Sequence, residues 1–114
     1  MIMTTTHLLD GYEIEEYCDV ICAEHVVGTS AIKDLMANIV DFMGGRAYGY
    51  ESTLYRARES VKAKLFKIAE KCDANAIIGI DFDYSQFKSK NGMVMISISG
   101  TAVKCRQTLS DKLK

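Results

Sequence analysis

The stretch FMGGRAYGYES, residues 42–52, gathers several groups able to hold a ligand. Gly44 and Gly45 permit backbone angles that a side chain forbids. Arg46 offers five donors in a planar fork suited to a carboxylate or a phosphate. Tyr50 and Glu51 follow at the start of an expected helix, whose first amides favour an anion. Two readings compete. In one, Arg46 and those amides form a pocket for an anion or small metabolite at a subunit boundary. In the other, Arg46 pairs with Glu51, Asp34 or a neighbouring copy's carboxylate and pins an assembly together.

A second set is suited to metals. Cys18, Cys22, Glu24 and His25 crowd one expected strand. Extended geometry sets Cys18 and Cys22 roughly 13 Å apart at about 3.3 Å per residue, while a zinc–sulfur bond is only about 2.3 Å. Strand alternation puts His25 on the opposite face from both thiols. Cys22, Glu24 and His25 are the candidate ligands for a divalent metal, with buried or interfacial thiols as the plainer reading. A ring of copies would collect one ligand from each subunit around its axis. Asp81 and Asp83 share a strand face about 7 Å apart. They suit a hard cation, an acid–base pair, or a solvated face with salt-bridge partners across a subunit boundary. Arg58, one turn past Leu54, is their candidate partner. His7 and His25 have no cysteine or serine in an activating pattern, and no phosphate-binding glycine motif appears. No catalytic residue is assigned and an enzyme is not expected.

The elements that would position these residues read as ββααββ. The run MIMTTTHLL is β-branched and ends at Asp10-Gly11, a favoured hairpin turn. The return strand, residues 12–28, is partly apolar on both faces and too long for an ordinary strand, so a bulge is expected near Glu15-Glu16. A first helix starts near Ser30, with Ile32, Leu35, Met36, Ile39, Val40 and Met43 as its stripe, and stops at Gly44-Gly45. A second runs from near Glu51 to about Asp73 and buries Leu54, Ala57, Val61, Leu65, Ile68 and Cys72. In ANAIIGIDFDY, alternation puts Ala76, Ile78, Ile80, Phe82 and Tyr84 on one face, and Ile77, Gly79, Asp81, Asp83 and Ser85 on the other. Asn91-Gly92 signals a hairpin into a last strand, with Val94, Ile96, Ile98 and Ala102 on one face.

The fold expected is α+β: a mainly antiparallel sheet of about four strands with two helices on one face. It forms a single domain, residues 1–105, with a polar tail at 106–114. The other sheet face, with Ile77, Met93, Met95 and Val103, would stay uncovered. An apolar patch of that kind calls for a partner, and a second copy is the default. Net charge of −1 and a pI near 6.1 argue against nucleic acid and against electrostatic attachment to a membrane. No run reaches the roughly 20 apolar residues of a membrane span, and residues 1–10 do not read as a signal peptide. A cytoplasmic protein with four free thiols is expected.

Several motifs in order carry a resemblance: TTT at 4–6, Gly11, Glu24 with Gly28, Asp34, GGR at 44–46, YE at 50–51, AR at 57–58, ANAIIGIDFDY at 74–84 and SGTAV at 99–103. Over residues 2–105 the chain resembles the YbjQ-like family, labelled a heavy-metal-binding domain. The resemblance implies a dodecin-like α+β fold and assembly as a ring, typically a homopentamer. The chain carries Ala23 where the family usually has glycine and Ala47 where it often has serine. Three functions follow as expectations: a homo-oligomeric binding module, metal-binding by resemblance; a ring that sequesters a small anionic metabolite or nucleotide at subunit interfaces; or a non-catalytic scaffold.

Overall fold

The computed structural model describes residues 1–28, 48–87 and 93–108. The expected first helix, and Gly44, Gly45 and Arg46 after it, lie outside the described residues. The described elements are β1 (Ile2–Met3), β2 (Tyr12–Val27), α1 (Tyr48–Lys71), β3 (Ala76–Phe87) and β4 (Met93–Gln107). They form an α+β fold in which one mixed sheet has strand order β1-β3-β4-β2. β2 and β3 each pair antiparallel with β4, and β1 runs parallel to β3.

The 24 residues of α1 hold together for local reasons. Glu51 in the first turn and Lys71 in the last complement the helix dipole. Its end is a Schellman closure: Ala74 N donates to Ala69 O at 3.1 Å and Asp73 N to Glu70 O at 3.0 Å. Asp73 takes the left-handed position at φ 62°, where a short polar side chain is tolerated. Its buried face, Ala57, Val61, Leu65 and Ala69, packs with Ile21, Ile96 and Ile98 of the sheet, and Leu54, Ile68 and Cys72 flank them. That is the expected stripe.

The first strand differs from expectation. No hairpin joins it to β2. Asp10-Gly11 does turn the chain, with Tyr12 N donating to Leu9 O at 3.1 Å and Gly11 at φ 80°. Residues 4–6, however, follow β3: Thr4 N bonds Ile77 O at 3.0 Å, and Gly79 N bonds Thr6 O at 2.9 Å. Parallel pairing with a strand some 75 residues away leaves no local turn signal.

Gly79 explains a second difference. Between the pairs Ile78↔Thr101 and Asp81↔Ser99, two β3 residues oppose the single residue Gly100. Gly79 at φ 62° makes this a glycine bulge. The extra residue reverses the alternation, so Ile77, Ile80 and Phe82 face the helix-side core. Ala76 and Ile78 face the other way, in a small second core with Val103, Ile2, Leu9 and Ile14. Ile77 and Val103, expected on an uncovered face, are therefore both fully buried.

β2 carries the bulge expected at Glu15 and another at Cys18. The second turns Cys18 toward the helix-side core, away from the face of Cys22. Arg106 anchors this end, its Nη2 lying 2.6 Å from Glu13 and its Nε 3.2 Å from Glu15. Asn75 extends β3 by side chain: Cys105 N donates to its Oδ1 at 2.8 Å and its Nδ2 donates to Cys105 O at 2.9 Å.

The bulge leaves no room at Gly100, where a Cβ would meet Ile77 Cγ2 at 2.8 Å and Ile78 O at 3.2 Å. Gly100→Ala is expected to lower the unfolding free energy by roughly 1–3 kcal/mol through overpacking. Urea denaturation measures it, with Gly28→Ala, where nothing lies within 4 Å, as a nearly neutral control.

Candidate functional site

The sheet face away from α1 places the sequence candidates in register. Asp81 sits opposite Ser99, and Ser99 opposite Cys22. One step along, Asp83 pairs with Ser97, and Ser97 with Glu24. Asp81, Asp83, Cys22 and Glu24 are all exposed. Neighbouring strands lie about 4.8 Å apart and successive same-face residues about 7 Å apart. The acidic groups thus form a band with about 10 Å across it, and do not converge. Apolar side chains flank it. Val26 beside Met95 lies on one side, and Val20 beside Thr101 on the other. Val20 is 77% exposed and Tyr17 69%.

His25 is half-buried on the opposite face, next to Ile96 in register. Tyr50 and Glu51 lie near the start of α1, Glu51 exposed. Within one chain Arg58 does not pair with Asp81 or Asp83. Their neighbours Ile80 and Phe82 point to the helix side, so the two carboxylates point away from α1. The Arg58 guanidinium instead lies over Tyr55, 5.8 Å from the ring centroid.

Sequence reasoning missed the cleft that Arg58 does face. It has a volume of about 260 Å³, with walls from Arg58, Glu59 and Lys62 of α1 and from Met3, Thr4 and Thr5, over a floor of Ile80, Phe82 and Ile98. Arg58 and Lys62, four apart on a helix, were the one local signal. The remaining walls come from distant parts of the chain.

A family model described as "Putative heavy-metal-binding", of the YbjQ type, matches residues 1–106. The chain belongs to the YbjQ-like family. UPF0145 proteins from two strains of Caulobacter vibrioides are each 44% identical to it over 103 residues, covering 90% of this chain and 98% of theirs. A crystal structure of a DUF74-family protein of unknown function from Pediococcus pentosaceus has the same fold. Its TM-score is 0.59 at 20% identity, over 93% of this chain and 98% of that one.

The family description raises the question of whether a YbjQ-like subunit of this sequence fits a metal. Among the described residues, no three Cys, His, Asp or Glu side chains come together to hold one. Cys22 and Glu24 share a face, but His25 does not. Burial pushes the Cys18 thiol up from its ordinary pKa, and Glu16 adds to the shift. Burial pushes Cys105 up as well, with Glu15 adding. The shift favours the thiol form at both, and the thiolate is the form that binds metal. The described part of one chain does not fit a metal ion.

Among the described residues no helix is long and apolar enough to cross a membrane.

Proposed function

We propose that this YbjQ-like chain is one subunit of a cytoplasmic homo-oligomeric ring, a pentamer by family likeness, acting as a non-catalytic binding module. One observation carries the reading: the chain alone is a blade. Its extents are 59 × 29 × 19 Å and its radius of gyration is 18.3 Å, against about 13 Å for a compact domain of this length. The cause is the length of β2 and β4, 16 and 15 residues, paired along nearly their whole length. A blade of that shape leaves Val20, Tyr17 and Val26 exposed, and among the described residues β2 is an edge strand of 16 residues. Long open edges are normally covered.

A second copy supplies both the cover and the pairing. β2 at one edge differs from β3 near the other, so the contact is head-to-tail and closes into a ring when the rotation permits. The acidic band then lies at or beside the seam. Metal held there would draw Cys22, Glu24, Asp81 or Asp83 from more than one copy. Light scattering at micromolar concentration tests the assembly: the expected mass is five times the 12.7 kDa of the chain. A folded particle of one chain mass refutes it. Metal analysis of untagged protein separates the metal-holding ring from a ring without metal.

A further inference from the structure

We propose that the cleft between α1 and the β3 edge binds a small organic monoanion, with a flat apolar body and one carboxylate head. The chemistry comes from its walls. Ile80, Phe82 and Ile98 make an apolar floor, and a floor of that kind favours a body that leaves water. Two cations stand over it, Arg58 and Lys62. Lys62 Nζ lies 3.3 Å from Glu59 Oε2 with both side chains exposed, so one positive charge is locally offset. Among the described residues Arg58 has no carboxylate partner; its contact is the Tyr55 ring. Two cations and one carboxylate leave a single positive charge, matched by a single negative head. The planar guanidinium fork fits a carboxylate with two parallel bonds.

The opposite wall is fixed in place. Thr4 N donates to Ile77 O and Thr4 O accepts from Ile80 N, both at 3.0 Å. This ties residues 4 and 5 to the Gly79 bulge, and Thr5 is left exposed at the rim. Positions held this way need little ordering when a ligand arrives. The volume of about 260 Å³ is just under the roughly 300 Å³ at the lower end of ligand pockets. That is enough to enclose the body of an aromatic acid and too little to enclose a dinucleotide.

The site lies on the helix side of the sheet, on the face away from Val20 and the acidic band. The test is titration of the purified full chain with 2-naphthoate by NMR or calorimetry, with 2-naphthalenemethanol as the neutral analogue. Saturable binding of the acid is expected, tighter than that of the alcohol. Arg58→Gln is expected to weaken the acid about 10- to 100-fold, the value of a charge-assisted hydrogen bond, and to leave the alcohol unchanged. Lys62→Gln is expected to weaken the acid less. No saturation at millimolar acid, equal affinity for acid and alcohol, or unchanged acid binding in Arg58→Gln overturns the proposal. Both variants alter exposed or half-exposed side chains, so folding is retained. Light scattering on the same samples reports the ring separately, and its mass is expected to be unchanged.

Discussion

Val20→Glu is expected to reduce the proposed ring to single chains while leaving the secondary structure intact. Val20 is 77% exposed in the lone chain and stands beside Tyr17, which is 69% exposed. On a free surface, such a change is worth within about 0.5 kcal/mol and moves nothing. At a seam, the same carboxylate loses its water without a partner. It also joins a face that already carries Glu24, Asp81 and Asp83, so nearby charge repels it. An uncompensated buried charge costs about 3–5 kcal/mol, on the order of 10²–10³-fold in the affinity of each seam. Each seam of a ring would contain the substitution once. Sedimentation at micromolar concentration distinguishes the outcomes: one chain mass with unchanged circular dichroism is expected. A particle of the parent mass shows that Val20 lies outside the seam. Val20→Thr, of similar shape and uncharged, is expected to retain most of the assembly.

Much of the fold was legible where local rules act alone. α1 announced itself by its stripe, and the structure buries Ala57, Val61 and Leu65 as the spacing requires. In β4 the alternation of Val94, Ile96, Ile98 and Ala102 survives without a break. The over-long β2 implied a bulge at Glu15, and one is there. Reading failed where one residue changes parity. Gly79 and Cys18 each insert a position, and everything beyond them on the strand changes face. The glycine was visible in the sequence, but a strand glycine signals a bulge only weakly against clean alternation on both sides. At Cys18 there was no glycine at all. The pairing of β1 was illegible for another reason: parallel partners share no turn.

The candidate site divides in the same way. Asp81 and Asp83 were named from alternation, Cys22 and Glu24 from their crowding on one strand, and the structure sets all four on one face. Within one chain Arg58 does not meet the carboxylates it was named for, because helix and carboxylates lie on opposite sides of the sheet. Its actual surroundings, Ile80, Phe82 and Thr5, depend on the same Gly79 bulge that defeated the strand reading.

Leu65→Ala is expected to cost the most stability of any single truncation in α1. Leu65 has 0% exposure and is among the largest fully buried side chains, with Ile77, Ile96 and Ile98. It stands midway along the buried face, between Val61 and Ala69. The surrounding side chains belong to a sheet whose backbone is fixed by the β2–β4 and β3–β4 ladders, so the walls cannot close on the space left behind. The lost transfer energy and the residual cavity then add, giving about 3–5 kcal/mol, the upper part of the range for such changes. Against a typical total of about 5–15 kcal/mol, that is a large fraction, and the melting temperature should fall by roughly 10–20 °C. Leu65→Met, which nearly preserves volume, is expected to cost under about 1.5 kcal/mol. Denaturation should be run across a range of concentrations, because the proposed assembly would stabilise the folded chain by mass action. A loss that shrinks as concentration rises would place part of the stability of α1 in contacts between copies. A loss below about 1 kcal/mol at every concentration would mean that Leu65 does not anchor the helix to the sheet.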